Sequence, residues 1–570
     1  VREFATGLEE ILVVEEKRQI LEYALKESLY NWADDVRPRV VGKFDDTGEW
    51  DNKDGAGHGD WLLPATYELS PAQIARAIAS RISRYFAGHP VEQRVKERVA
   101  YLEAKEAMLN AAAKPDANKD RVPHFCSGCP HNTSTKVPEG SRALAGIGCH
   151  YMVTWMDRET STFTHMGAEG VTWVGQAPFT TENHVFCNLG DGTYYHSGLL
   201  AIRAAVSGDV NITYKILFND AVAMTGGQPF DGPLDPGMIS RQIAAEGVGP
   251  IIVVTDEPEK YPADYPWAAG VTVRHRSELD AVQRELRVAK GVSAMIYDQT
   301  CASEKRRRRK QIDKNGKPGF PDPAKRAVIN EAVCEGCGDC SVQSNCLSVE
   351  PLETEFGRKR QINQSSCNKD FSCVTGFCPS FVTVEGGKLK KPAKVKVEVG
   401  QALDVASLPQ PVLPSTAEPF GVLVTGVGGT GVVTIGQIMA MAAHLQGKAC
   451  SVLDMTGLAQ KGGAVMSHVR LADNVNDIQS TRVGTGMADL VIGCDLIVTA
   501  SKDALSRMGE GRTHAAINLN GTPTSTFIKN PNWQFPAESA EDDIRKACGN
   551  GHVDLVDAGA IATALMGDTI

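Results

Sequence analysis

The 570-residue chain has no excess of positive charge: 59 Lys and Arg stand against 69 Asp and Glu, a formal charge of −10. That mild acidity argues against nucleic acid as the main partner. The first residues, from Val1, do not run from a basic stretch into an apolar segment with a small-residue cleavage site, so the pattern of a secretory leader is missing. A pure apolar run is missing too. The one charge-free stretch long enough to cross a bilayer, the 24 residues from Phe420 to Ala443, holds six glycines and three threonines. It reads better as a strand, a glycine turn and a helix, and no membrane span is expected. With 42% hydrophobic and 22% charged residues, the composition lacks the bias of a disordered or fibrous protein. There is no initiator Met, Leu8 to Val14 reads as a buried strand, and Ile570 falls in what reads as the middle of a domain. The expectation is an internal piece of a longer, cytoplasmic polypeptide.

Cysteine is what the chain has in plenty. Seven of its fifteen cysteines fall between Cys334 and Cys378. A secreted disulfide scaffold would be a short chain, and Cys-x-x-Cys spacings read first as metal or redox chemistry. The order is Cys334-x2-Cys337-x2-Cys340-x5-Cys346, then Cys367-x5-Cys373-x4-Cys378-Pro379. Two-cluster bacterial ferredoxins carry Cys-x2-Cys-x2-Cys-x3-Cys-Pro twice, the fourth Cys of each run ligating the other cluster. By that crossing rule Cys334, Cys337, Cys340 and Cys378 hold one [4Fe–4S] cluster, while Cys346, Cys367 and Cys373 hold a second. The missing ligand of the second falls on Asp370, so this cluster is either Asp-ligated [4Fe–4S] or a three-iron cluster. Two spacings and the Asp depart from the ferredoxin pattern, and structural zinc is the competing assignment.

Length divided by roughly 150 residues per domain predicts three or four domains. Residues 1–45 read as a strand, a helix (Lys17–Tyr30) and an extended exit. Residues 46–120 read as a Gly- and Asp-rich loop followed by a helical bridge with no chemistry in it. The bridge opens at Ser70-Pro71, an N-cap with proline at the first helical position. From 121 to 303 the apolar runs His184–Leu189, Ile212–Phe218, Pro250–Thr255 and Ser293–Tyr297 alternate with helical segments, which predicts a parallel α/β sheet. The basic run Lys305 to Lys310 opens a linker, 304–325, and reads as a solvated hinge. The cysteine-dense segment spans 326–390, a linker 391–418, and a second α/β unit 419–570.

Within the first α/β unit, Gly190-Asp191-Gly192 ends one strand and Asn219 ends another. An Asp carboxylate and an Asn amide oxygen are hard ligands for Mg2+, which can bridge them to a diphosphate. The glycines allow close backbone approach at a helix N-terminus, at the carboxyl end of a parallel sheet where such folds bind ligands. GDG alone is weak. With Asn at this distance on a strand–helix frame it is the thiamine diphosphate signature.

Together the motifs resemble the 2-oxoacid:ferredoxin oxidoreductases, most closely the long fused indolepyruvate type. The resemblance is carried by Cys126-Ser-Gly-Cys129-Pro-His131, Gly146-Ile-Gly148-Cys149, Gly190-Asp-Gly192, Asn219-Asp-Ala-Val-Ala-Met-Thr-Gly-Gly-Gln228, the ferredoxin-like segment and the glycine run from Gly426. It implies a multidomain α/β protein: the end of a transketolase C-terminal-like domain (1–45), a thiamine-binding domain, a two-cluster ferredoxin-like segment and an incomplete gamma-type domain. It implies Mg2+ on Asp191, Asn219 and the carbonyl of Ala221, and a proximal [4Fe–4S] cluster on Cys126, Cys129, Cys149 and Cys301, making about three clusters. Cys301 matches by location alone. Of His131, His150, His165 and His196, each reads first as structural, and His131 is the one to test as catalytic. Cys187, Cys450, Cys494 and Cys548 read as buried spare thiols.

Gly426, Gly428 and Gly431 satisfy G-x-G-x-x-G after a strand, with Asp454 further on, and alone read as a dinucleotide fingerprint. The resemblance instead places them, with Gln460-Lys-Gly-Gly463 and Ser467-His-Val-Arg470, in a domain near the thiamine site that helps receive CoA. The implied activity is oxidative decarboxylation of a 2-oxo acid, an aryl pyruvate such as indolepyruvate, to an acyl-CoA with reduction of ferredoxin. The implied assembly is a homo-oligomer, and the pyrimidine-binding domain lies elsewhere in the same or a partner chain, so that the chain alone is inactive. Competing readings are an NAD(P)-linked iron–sulfur oxidoreductase and a non-catalytic electron-transfer module.

Overall fold

Valine- and isoleucine-rich runs of five to seven residues become the inner strands of a parallel sheet in the middle of the chain. The computed structural model describes residues 1–45, 61–112, 119–312, 316, 319–387, 409, 411–457, 462–549 and 551–566. The Gly- and Asp-rich loop at 46–60, most of the linker at 391–418, and Gln460 and Lys461 lie outside the described residues.

At the start, β1 (Glu10–Leu12) pairs in parallel with β2 (Arg39–Val41). The helix between them, Leu21–Leu29, begins four residues later than its pattern suggests. The Glu15 carboxylate accepts the backbone N–H groups of Ile20, Leu21 and Glu22 and so fixes the helix start. Ser70 caps the helix Pro71–Tyr85 through a full capping box with Gln73.

The large sheet comprises β3 (Ala143–Leu144), β4 (Thr160–Ser161), β5 (Val185–Gly190), β6 (Ile212–Phe218), β7 (Ile251–Thr255), β8 (Thr272–His275) and β9 (Val292–Asp298), in the order β4-β3-β5-β6-β9-β7-β8. All its ladders are parallel. Both faces are covered, as a parallel sheet requires, so its inner strands are apolar without alternation.

The cysteine-rich segment has two small antiparallel ladders. β10 (Lys325–Ile329) pairs with β13 (Phe381–Glu385), and β11 (Val349–Thr354) with β12 (Gly357–Ile362). Its core is assembled largely from cysteines, with Ala327, Ile329, Val349 and Ile362. So small an apolar cluster stabilises little by itself.

The last unit is a mixed sheet of β14 (Phe420–Val427), β15 (Ala449–Thr456), β16 (Ala464–Ala472), β17 (Leu490–Gly493), β18 (His514–Asn518) and β19 (Val553–Val556), in the order β15-β16-β14-β17-β18-β19. The charge-free stretch from Phe420 is β14, a glycine turn and the helix Val432–Leu445. No helix among the described residues is long and apolar enough to cross a membrane.

Two expectations need correction. The run Lys305 to Lys310 is no solvated hinge. It lies in the helix Ala302–Lys310, where Lys305 pairs with Asp256, Arg307 with Glu304, and Arg308 with Asp220, while Arg309 donates to the carbonyl of Asn368. Apart from Glu304 in the same helix, the acceptors lie far away in sequence, which is why the run reads as solvated. Of the four spare thiols, Cys187 and Cys548 are buried, but Cys450 and Cys494 are only half-buried.

The helical bridge is tied to residues far along the chain. Its helix Pro90–Ala112 lies against the helix Lys502–Arg507 and the loop before β17, where the Tyr101 hydroxyl sits so close to Gly486 that a Cβ there would fall 1.9 Å away. Just beyond, Arg121 donates to Asp495 at 2.9 Å, an ion pair with 5% and 1% of the side chains exposed.

Candidate functional site

Asp191 follows β5 directly and Asn219 follows β6, so the parallel register of two neighbouring strands brings them together. The Asp191 Oδ1 accepts the Gly192 N–H at 2.8 Å, and Oδ2 accepts those of Asn219 at 2.7 Å and Asp220 at 3.0 Å. Burial pushes the Asp191 carboxyl up to about 7; the three backbone donors pull it down, and the Asp220 charge adds to the rise. Asn219 is buried, and among the described residues its Oδ1 has no hydrogen-bond partner. A buried carboxylate beside an unused amide oxygen is the donor set a divalent cation fits, and the cation's charge would offset the cost of ionising Asp191. Ala221 is buried in the same loop. Arg308 holds that loop from outside, donating to the Asp220 carboxylate at 2.5 Å and its carbonyl at 3.1 Å.

The glycines here have a visible reason. A Cβ on Gly146 would fall 2.2 Å from the carbonyl oxygen of Asn188, and one on Gly190 3.4 Å from His150 Nε2. His150 packs into the notch these glycines leave, and neither ring nitrogen has a partner among the described residues. Burial, with Lys215 nearby, takes its pKa down to about 4, so the ring stays neutral.

Cys126, Cys129, Cys149 and Cys301 line one cavity with His131, Met152, Asn219 and Ala223, enclosing about 370 Å³ of space, part of it open to solvent. The spacing alone does not join Cys301 to the other three; its backbone N–H donates to the carbonyl of Asn219 at 3.0 Å, which delivers it there. Burial pushes the thiols of Cys129, Cys149 and Cys301 up, and for Cys129 and Cys149 the neighbouring cysteines add to the rise. A ring of thiols that oppose one another's ionisation becomes stable as thiolates only around a cationic centre. His131 is buried between Phe125 and His150, its ring centroid 5.7 Å from each. Burial, then His150, holds its pKa well below the usual range.

A second cavity is lined by Cys346, Cys367, Asp370 and Cys373, and also by Gly128 from the Cys126–Cys129 loop. Burial, with neighbouring thiols and Asp370, pushes Cys373 up, and burial pushes Cys346 up to about 11 against N–H donors from Ser348 and Gly128. Cys334, Cys337 and Cys340 form a separate group, with Cys334 buried, Cys340 half-buried and Cys337 exposed. Burial pushes Cys340 up to about 11, with Arg360 opposing and Cys334 and Cys337 adding. Cys378 lies before β13; two residues earlier, Gly376 packs on Asp339 and Gln343 of the helix that carries Cys340. Among the described residues no three or more His, Cys, Asp or Glu side chains close around a single metal ion. Structural zinc needs four donors at about 2.0–2.3 Å from one point. The cysteines of the first two groups instead line two separate cavities.

The glycine run of the last unit is built otherwise. β16 lies between β14 and β15 and is antiparallel to both. Asp454 is therefore two strands from the glycine turn, roughly 10 Å away where a dinucleotide fold has about 5. The Arg121–Asp495 pair sits just past the end of β17, the parallel neighbour of β14. Gly429 and Gly431 adopt φ of +100° and +85° with open space around them.

Several neighbours of these sites escape sequence reasoning. Arg276, Gln299 and Arg308 act across long sequence separations and leave no local trace. Lys215 does leave one: it is a lysine inside the apolar run Ile212–Phe218. It is fully buried, donates to the carbonyl of Lys136 at 2.8 Å, and burial pulls its pKa down to about 7.

Three family models match the chain. Residues 1–112 match the indolepyruvate ferredoxin oxidoreductase middle domain, 146–296 the C-terminal TPP-binding domain of thiamine pyrophosphate enzymes, and 421–565 pyruvate ferredoxin/flavodoxin oxidoreductase. Among relatives, the chain is 27% identical over 395 residues to indolepyruvate oxidoreductase subunit IorA of Thermococcus kodakarensis, covering 61% of this chain and 54% of that one. It is 25% identical over 375 residues to the IorA subunit of Pyrococcus horikoshii, covering 61% and 49%. A shorter match, 32% over 73 residues, is to the IorB subunit of Pyrococcus horikoshii and covers 13% of this chain and 35% of that one. The chain thus spans about half the length of the IorA relatives it matches.

Proposed function

We propose that this chain, whose segments match those three family models, is an indolepyruvate ferredoxin oxidoreductase, and that it supplies the diphosphate-binding side of a thiamine site and the electron path leading from it. Asp191, Asn219 and the carbonyl of Ala221 hold Mg2+ against the diphosphate, with Gly190 and Gly192 giving the backbone room to approach. Thiamine diphosphate, when bound, supplies the carbanion chemistry that decarboxylates a 2-oxo acid.

Cys126, Cys129, Cys149 and Cys301 hold the proximal [4Fe–4S] cluster. Cys346, Cys367 and Cys373, with Asp370, hold the second cluster, and Cys334, Cys337, Cys340 and Cys378 the third. The single observation that carries the reading is that Asn219 and the first four cysteines line one cavity. A Mg2+ ligand and a redox centre that share a wall let electrons leave the cofactor without crossing solvent, which a non-oxidative decarboxylase does not need.

The substrate we propose is an aryl pyruvate such as indolepyruvate, the product its acyl-CoA, and the acceptor ferredoxin. The turn at Gly426, Gly428 and Gly431 serves the CoA side of the reaction. Partners include a second domain or chain that receives the aminopyrimidine end of the cofactor, in a homo-oligomeric assembly. The domain boundaries are those of the sequence reading, except that the helix Ala302–Lys310 binds the thiamine unit to the ferredoxin-like segment.

Calorimetric titration of Mg2+ and thiamine diphosphate into the cluster-loaded chain tests the site. Binding lost in Asn219→Ala and in the absence of Mg2+ is expected. In the complete enzyme, indolepyruvate with CoA should reduce the clusters, and clusters that stay oxidised would sink the proposal.

A further inference from the structure

Asp370, between Cys367 and Cys373, is gripped from outside its own segment. Arg276, in the turn after β8, donates through Nη1 to the Asp370 Oδ1 at 2.6 Å and through Nη2 to the Asp370 carbonyl at 2.6 Å. Gln299, just past β9, donates through Nε2 to the same Oδ1 at 2.7 Å. Among the described residues Oδ2 receives only the Ser372 N–H at 3.3 Å, beyond the usual hydrogen-bond range. The side chain is 7% exposed, so this oxygen is withdrawn from water with its bonding capacity nearly unused. The clamp is rigid on both sides. A Cβ on Gly128 would fall 3.0 Å from the Asp370 Cβ, and Asn368 donates to the Ser127 carbonyl at 2.7 Å, so the loop between Cys126 and Cys129 packs directly on this turn.

Resting on the iron–sulfur reading above, we propose that Arg276 and Gln299 are positioning residues of the second cluster. They fix Asp370 so that Oδ2 closes a four-iron cluster with Cys346, Cys367 and Cys373, and the Arg276 charge sets its potential. With Oδ1 held by two donors the carboxylate cannot chelate; it is a monodentate ligand of fixed direction. Reduction adds one negative charge to the cluster, and a guanidinium 16% exposed beside it is only weakly screened, so it favours the reduced state. The site next to the proximal cavity thereby becomes an easier electron acceptor than a carboxylate ligand alone would make it.

The test is an EPR-monitored redox titration of the cluster-loaded full chain, with iron and sulfide counted. Asp370→Ala should convert one four-iron signal to the oxidised three-iron signal, and Asp370→Cys should retain four irons. Arg276→Gln should keep the cluster and shift its midpoint to lower potential, with Arg276→Lys restoring part of the shift. The other two clusters are internal controls of folding. A four-iron signal that survives Asp370→Ala, or a midpoint unmoved in Arg276→Gln, overturns the inference while leaving the thiamine and cluster reading intact. A wild-type chain that binds no iron overturns both.

Discussion

Two turns of this chain, Gly190–Gly192 and Gly426–Gly431, share one grammar: an apolar strand, glycines, then a helix. Their surroundings differ. After Gly190 the backbone delivers a buried carboxylate, and the next strand delivers Asn219 with a free amide oxygen beside it. After Gly426 the antiparallel strand β16 intervenes and leaves Asp454, on β15, out of reach. Asp495, past the adjacent parallel strand, is committed to Arg121. The lesson is that a glycine turn specifies room for a ligand, while the strand next to it decides which groups face that room.

Four substitutions and one ligand test can break or sharpen this contrast. The largest effect is expected at the second turn's edge, where Arg121→Ala leaves Asp495 buried without its partner. A loss of about 3–5 kcal/mol in urea unfolding is expected, and a loss under about 1 kcal/mol would mean the pair does not hold the bridge to the last sheet. At the first turn, Asp191→Ala should weaken Mg2+-dependent thiamine diphosphate binding at least about a hundredfold, since even residues behind a metal ligand are worth 10–100-fold. Unchanged affinity by calorimetry would remove Asp191 from the site.

Gly146→Ala forces a Cβ to 2.2 Å from a carbonyl of β5, a central strand that cannot retreat. We expect a loss of about 1–3 kcal/mol in the unfolding free energy. Gly431→Ala meets no atom and suffers only from its φ of +85°; about 1 kcal/mol is expected. If Gly431→Ala were the costlier of the two, crowding would not be what distinguishes the turns. Smallest of all, NADH should leave the thermal midpoint unmoved, and a concentration-dependent rise would restore the dinucleotide reading.

Much of the frame was legible in the order of residues. Ile212–Phe218 is a strand with the bounds its pattern predicts, and Ser70 caps its helix as read. Both signals are local: a run of β-branched residues, and a side chain bonding a backbone three residues on. Arg307, Arg308 and Arg309 mislead for the opposite reason, because a charged run looks solvated until its acceptors are known. Those acceptors, at Asp220, Gly226 and Asn368, lie about 60–90 residues away.

The sequence by itself determined the chemistry on offer, because ligand type is a property of side chains: thiols in ferredoxin-like order, an Asp and an Asn at strand ends, glycines where ligands approach. Only the tertiary structure decided which of these meet. Cys301 joins Cys126, Cys129 and Cys149 because its backbone is bonded to Asn219, and Asp454 is displaced because a strand intervenes. Asp370 keeps one oxygen nearly unused because Arg276 and Gln299 hold the other. Spacing along a chain constrains distances only within a few residues; beyond that, sheet order and packing set them.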